Sequence, residues 1–390
     1  MNDSILHTEI QEFINNNLNS DITKLLLKGV SFKGVAPRAI VEQIEAKKKS
    51  EKKLPTWFHT KNIYYPNKLN VAQTSSEITA DYKSNLIAGK TLIDLTGGFG
   101  VDTYYFSKRF KSVIHCEINE SLSKIVNHNF KQLKANTIIN LNVDGIEHLN
   151  NSNKTYDWIY VDPSRRDMSK RKVVFLNDCL PNIPKHLDML FDYTNNIMLK
   201  TSPLLDISIG VKELKYTKAI HIIAVNNEVK ELLWILEKNY NDKISMLTVN
   251  IHHNEQQHFN YIINEESETI AKYSEPLTYL YEPNLAILKS GAFTTITKYF
   301  NLFKIHKHSH IYTNDILIDF PGRVFKIINI IPYSKRKQLN ILKANITTRN
   351  FPESVNQIRK NLKIKDGGDI YIYATTSMNG KKILLICTKV

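Results

Sequence analysis

The stretch TLIDLTGGFGVD, residues 91–102, decides the reading of this chain. Leu92, Ile93 and Leu95 make a short buried strand, with Asp94 near its carboxyl end. Gly97, Gly98 and Gly100 then supply a turn whose backbone can take angles, and approach neighbours, that a Cβ would forbid. A helix is predicted to begin near Val101. Strand, glycine turn and helix amino terminus in that order place a ligand at the carboxyl edge of a parallel sheet, where open α/β sheets bind nucleosides.

Outward from this stretch, short apolar runs alternate with helical patterns. Strands are predicted near 91–95, 112–116, 137–142, 156–161, 196–200 and 219–225, with a further one at 243–251, which predicts a doubly wound, mostly parallel α/β sheet. Three more acids fall at the ends of successive strands. Glu117 closes VIHCE, 23 residues after Asp94, near the roughly 20 expected of an acid that binds ribose hydroxyls. Asp144 follows INLNV, where a carboxylate can accept from an adenine amino group, and Asp162 closes WIYVD, over the place of a reacting group. A dinucleotide oxidoreductase would share the first two elements, but Gly97-Gly-Phe-Gly100 lacks the third glycine of its fingerprint. Gly89-Lys90-Thr91 is not a P-loop either, since Ser84 stands at its first glycine and the lysine precedes the strand.

In order and spacing, DLTGGFGVD, the acid of HCEIN, NVDG and VDPS resemble the cofactor motifs of class I S-adenosylmethionine-dependent methyltransferases. QTSSEITADYK before the turn, DPSRRD after the fourth strand, YLYEPNLAILKSGAF and ITTRNFP extend the likeness over most of the chain, to the bacterial THUMP-like-domain methyltransferase family. The resemblance implies a Rossmann-like methyltransferase domain followed by small ferredoxin-like and THUMP-like α+β modules. It implies S-adenosyl-L-methionine as cofactor, held by Asp94, Thr96, Gly97, Gly98, Gly100, Glu117, Asp144 and Asp162. It also implies an RNA substrate, tRNA or rRNA, because THUMP modules accompany RNA-modifying enzymes. Methyl transfer to a protein or small molecule, and a non-catalytic nucleic-acid-binding protein that keeps the fold, are the alternatives.

The loop DPSRRD lacks the aromatic residue that stacks on a base amino target. Arg165 is similar to the D-P-P-R of uridine C5 methyltransferases, but MLKTSP, residues 198–203, has no cysteine where those enzymes carry their nucleophile. Direct in-line attack on the methyl carbon is therefore expected, with Asp162 as the catalytic residue that orients the nucleophile or takes its proton. Arg165, Arg166, Lys170 and Arg171 are expected to grip substrate phosphate, the alternative being a salt-bridged loop.

The domain organisation expected is a helical amino-terminal segment (1–72), the methyltransferase domain (73–255), a ferredoxin-like module (256–320) and a THUMP-like module (321–390). Thr74 and Glu77 have capping-box spacing for a helix from Ile78, and the Gln73-Thr-Ser-Ser segment offers a polar wall for the cofactor pocket. With 52 Lys+Arg against 38 Asp+Glu, the net charge of +14 favours a polyanionic partner, and a generally basic proteome would give the same figure. Cys116, Cys179 and Cys387 lie far apart and read as reduced thiols. No apolar run approaches the roughly 20 residues of a membrane span, so a cytoplasmic protein with no membrane partner is expected. His306, His308 and His310 would share one face of a strand, and His252, His253 and His258 lie in a polar stretch; both groups read as solvated, and no metal is expected.

Overall fold

A computed structural model describes residues 1–165, 175–252 and 255–390 of the chain. These fall into two compact units, one made of Met1–Thr217 with Leu233–Asn241 and the other of Lys218–Leu232 with Asp242–Val390.

The first unit is built on five parallel strands: β1 (Gly89–Asp94), β2 (Phe110–Cys116), β3 (Ile138–Leu141), β4 (Trp158–Val161) and β5 (Asn196–Thr201). All neighbours pair in parallel, in the order β5-β4-β1-β2-β3. The strand order therefore reverses on either side of β1, and at such a switch point the loops that leave the carboxyl ends part to open a crevice. Leu92, Ile93, Val113, Ile159, Val161, Ile197 and Leu199 are buried, as expected of strands covered on both faces.

The amino-terminal helices are part of this unit. Ala46, Leu54, Trp57, Ile63, Tyr65 and Val71 share one core with Phe99, Val101 and Tyr105 beyond the glycine turn, and with Val126 and Phe130 of the helix Glu120–Gln132. A buried carboxylate ties the layers together, because Glu77 accepts from the Thr56 backbone N–H and hydroxyl (2.6 Å each) and from the Tyr105 hydroxyl (2.8 Å). That engagement overturns the expected capping box. Ser76 caps the helix Glu77–Asn85 by accepting from the Thr79 N–H, and Thr74 lies two residues outside.

In the second unit, Thr217–Val225 pairs in parallel with Ser245–His252, which pairs antiparallel with Glu255–Ile262. The sequence reading named no strand at Glu228–Glu237, yet one forms there. Asn226 and Asn227, at φ 52° and 58°, make the two-residue left-handed turn that leads into it. The rest of the unit is a seven-stranded sheet, in order Phe303–Lys304, Tyr312–Asn314, Tyr279–Pro283, Gly322–Pro332, Lys382–Lys389, Ile370–Thr376 and Asn345–Arg349. Alternation along its strands sends Ile372, Ala374, Leu384 and Ile386 to one core with Ile358 of the helix Val355–Leu362, and Tyr373, Leu385 and Cys387 to another with Phe325, Ile305 and Ile311. Glu282, 3% exposed, holds this sheet together: it takes Arg323, Arg349 (2.6 Å) and the Tyr373 hydroxyl (2.8 Å).

Two further expectations change. The basic segment 335–342, which reads in the sequence as a helix, opens instead with a 3-10 turn, Tyr333–Gln338. His306, His308 and His310 are not on a strand but in the turn between Phe303–Lys304 and Tyr312–Asn314. Among the described residues no group of three or more His, Cys, Asp and Glu side chains could hold a metal ion, and no helix is long and apolar enough to cross a membrane.

Candidate active site

A cavity of about 770 Å³ opens at the carboxyl edge of β1, β2 and β4. Asp94, Thr96, Gly97, Gly98, Glu117, Asp144 and Asp162 all line it, so seven of the eight residues singled out for the cofactor converge there. Gln73, Thr74 and Ser75 contribute a further wall.

Asp94, Glu117 and Asp144 also hold backbone. Asp94, 1% exposed, accepts from the Thr96 N–H (3.0 Å) and the Thr103 hydroxyl (2.6 Å), fixing the start of the glycine turn to the helix Val101–Phe106. Burial pushes its carboxyl up to about 7 against these two hydrogen bonds. Glu117 accepts from the Gly98 N–H (3.0 Å) with one oxygen and from the Asn119 N–H (2.7 Å) with the other, and burial raises its carboxyl as well. Asp144 caps the helix Gly145–Asn150 through one oxygen, which accepts from Ile146 and Glu147. The backbone N–H of Asp162 donates to the Thr96 hydroxyl (2.6 Å), and its carboxylate pairs with Lys200 of β5.

The glycines divide by role. An added Cβ at Gly97 would lie 2.1 Å from Nε2 of His115, a fully buried imidazole that burial pushes down to about 4 and hence keeps neutral. Backbone is thereby brought down onto the end of β2, which leaves its outer side to the cavity. Gly100 does not line the cavity. Its φ of 78° and the Phe130 ring, 2.6 Å from where a Cβ would lie, make it the residue that lets the helix Glu120–Gln132 pack close.

Sequence reasoning missed the cations beneath the acids. Lys83, with no exposed side-chain area, lies 3.1 Å from Asp102, whose other oxygen accepts from the hydroxyls of Ser75 and Tyr160 (2.7 Å each). Burial alone would raise the Asp102 carboxyl, but Lys83, Lys200 and these hydroxyls outweigh it and hold it below the usual range. The only sequence signal was the helical register of Lys83, which puts a lysine on the apolar side of its helix with Ala80 and Thr79. Cys116 also lines the cavity, with its thiol pushed up to about 12, chiefly by burial.

Of the four residues expected at phosphate, Arg165 is placed by its backbone, in the strand Ser164–Arg165 that pairs with Cys179–Leu180. Its side chain, and Arg166, Lys170 and Arg171, lie outside the described residues, as does His253.

Residues 279–321 match a ferredoxin-like domain model and residues 322–389 a THUMP domain-like model. The crystal structure of a "putative methyltransferase from Porphyromonas gingivalis W83" is 31% identical, with a TM-score of 0.89 over 100% of this chain and 98% of that one. Ribosomal RNA small subunit methyltransferase J of Francisella tularensis subsp. holarctica is 25% identical over 105 residues, 25% of this chain and 44% of that protein. Protein ARV1 of Saccharomyces cerevisiae is 28% identical over 131 residues, 32% of this chain and 41% of that protein. The chain thus spans less than half of either curated relative. Its match to the Porphyromonas protein runs end to end, and with both carboxy-terminal domain models in place the chain belongs to the THUMP-like-domain methyltransferase family.

Proposed function

We propose that this chain transfers the methyl group of S-adenosylmethionine to a nucleotide of RNA. The observation that carries the reading is the convergence, at the switch point of a parallel sheet, of a glycine turn with Glu117, Asp144 and Asp162 around one cavity of about 770 Å³. The donor set suits the ligand: carboxylates accept from ribose hydroxyls and an adenine amino group and offset positive charge, and Gly97, whose Cβ position is taken by the His115 ring, brings bare backbone to the cavity wall.

Bound there, S-adenosylmethionine supplies an electrophilic methyl carbon. Glu117 has lone pairs left for ribose hydroxyls, since each oxygen is used once by backbone. The second oxygen of Asp144, not used in capping, is the acceptor for the adenine amino group. Asp162, with a side chain 34% exposed, accepts a hydrogen bond from the attacking N–H or O–H and orients its lone pair, and Lys200 and Thr96 fix its position. A covalent thiolate route is disfavoured, because Cys116 is held protonated by burial. RNA as substrate is supported by family membership, by the named activity of the Francisella relative, and by charge. Segment 322–389 alone has 14 Lys and Arg against 3 Asp and Glu, so it holds most of the +14 of the chain.

Calorimetry with S-adenosylmethionine and S-adenosylhomocysteine, together with nucleoside mass spectrometry of RNA from cells with and without the gene, tests the proposal. We expect both ligands to bind and one methylated nucleoside to disappear with the gene. Binding of neither ligand would sink it; binding without any lost nucleoside would move the substrate to a protein or small molecule.

A further inference from the structure

The histidines of the segment KIHKHSH, residues 304–310, play no part in the cavity. His306 Nδ1 accepts from the backbone N–H of His308 (3.1 Å) and lies 2.8 Å from the side-chain amide of Asn350. A backbone N–H can only donate, so the neutral ring carries its proton on Nε2 and presents an N–H donor on its other edge. The same contact occupies the lone pair on Nδ1, which argues against a metal.

The surroundings are cationic. Lys307 and His308 are exposed, and the His306 and His308 rings are 5.6 Å apart. Lys304, 3% exposed, lies beneath and donates to the Lys307 carbonyl (3.1 Å). From the end of the strand Asn345–Arg349 comes Arg349, 32% exposed, which shares the single carboxylate of Glu282 with Arg323, so two guanidiniums divide one negative charge. Burial, then His308, Lys307 and Lys304, lower the pKa of His306. His310 is pushed down to about 4 by burial, then by Lys304, His308 and Arg349; Glu266 is the acid that opposes them. That carboxylate is engaged elsewhere, with the N–H groups of Thr294 and Thr295. Like charges brought together from two elements repel each other until an anion joins them.

We propose that the loop 304–310, with Arg349 and Asn350, binds phosphodiester groups of an RNA strand, a contact that shares no residue with the methyl-transfer cavity. RNA is favoured over a lipid headgroup because Arg349 and Asn350 belong to segment 322–389, in which the positive surplus of the chain is concentrated. The inference rests on RNA being the substrate.

The test uses the full chain and a fluorescently labelled short single-stranded RNA, with anisotropy read from about 50 to about 200 mM salt. Wild type is compared with Lys307→Ser/His308→Ser, both exposed positions. The expected result is RNA binding about three- to tenfold weaker, with a salt slope lower by about 1, while melting temperature and S-adenosylhomocysteine affinity stay unchanged. Unchanged RNA affinity and slope in the variant would overturn the proposal, as would a wild type that binds no RNA. Co-sedimentation with phosphatidylserine-containing vesicles that is lost in the variant, with RNA binding intact, would reassign the site to a headgroup and overturn it too. The cofactor is absent from the anisotropy, so failure of S-adenosylhomocysteine to bind wild type would break the methyl-transfer reading and leave this one standing.

Discussion

The cavity of the first unit and the cationic loop of the second handle charge in opposite ways. In the cavity, Asp94 and Asp102 are buried, Glu117 and Asp162 half-buried and Asp144 exposed, and each carboxylate is tied to a backbone N–H, a hydroxyl or a lysine before any ligand arrives. In the loop, Lys307 is exposed and Arg349 partly so, beside a buried Lys304, and Glu282 and Glu266 are the acids at hand, both already engaged. Buried charge survives only when paired, whereas exposed charge can be left unpaired because water and salt screen it. The cavity is therefore preorganised and costly to disturb; the loop is cheap to alter and sensitive to ionic strength.

Four substitutions test this contrast, beginning with the largest effect. Asp162→Ala should lower turnover by about two to four orders of magnitude, a loss of the size seen when a positioned acid–base group is removed. Its S-adenosylmethionine affinity, read by calorimetry, should stay within a few fold. Turnover at the wild-type level would remove Asp162 from the site.

Lys83→Met leaves the Asp102 carboxylate buried beside no lysine of its own and should cost about 3–5 kcal/mol of stability in denaturant unfolding. The double variant Lys83→Met/Asp102→Asn should recover much of that loss. If the single change is harmless, the buried pair is not what holds Ser75 and Tyr160 at the cavity wall.

Gly97→Ala drives a methyl group into the His115 ring and should destabilise by about 1–3 kcal/mol while abolishing detectable cofactor binding. Adding His115→Ala makes room, and partial return of binding would show that close approach, not backbone freedom, is what position 97 requires.

The smallest effect is a pH slope. The Asp94 carboxyl is raised to about 7 from an ordinary 3.8, so its contribution to folding is full below the unfolded value and is lost as pH climbs through about 4 to 7. Asp94→Asn can keep both hydrogen-bonding neighbours without titrating, and the fall in melting temperature over that window should become shallower. An unchanged slope would mean that Asp94 is ionised in the folded protein, contrary to its burial.

Much of this was legible in the residues because it is local. An apolar run, a glycine cluster and an acid at the end of each strand are neighbours in sequence, and the parallel sheet that they predict puts their carboxyl ends on one edge. Where the local signal was shared between competing uses, it misled. Glu77 has capping spacing from Thr74 but is drawn to Thr56 and Tyr105, and the alternating histidines suit a strand but form a turn. The strand Glu228–Glu237 was not foreseen, although its Asn226-Asn227 turn was written in the sequence.

By itself, then, the sequence determined the strand-and-turn cradle, the acids along its rim and the likeness to a methyltransferase family. Only the tertiary structure decided which charges meet. Lys83 finds Asp102, Lys200 finds Asp162, and Arg323 and Arg349 converge on Glu282, partners from 19 to 67 positions apart in the chain. Periodicity and turn chemistry report on a residue and its near neighbours, but a buried ion needs a partner delivered by whatever strand the fold places opposite, and no local pattern records that choice.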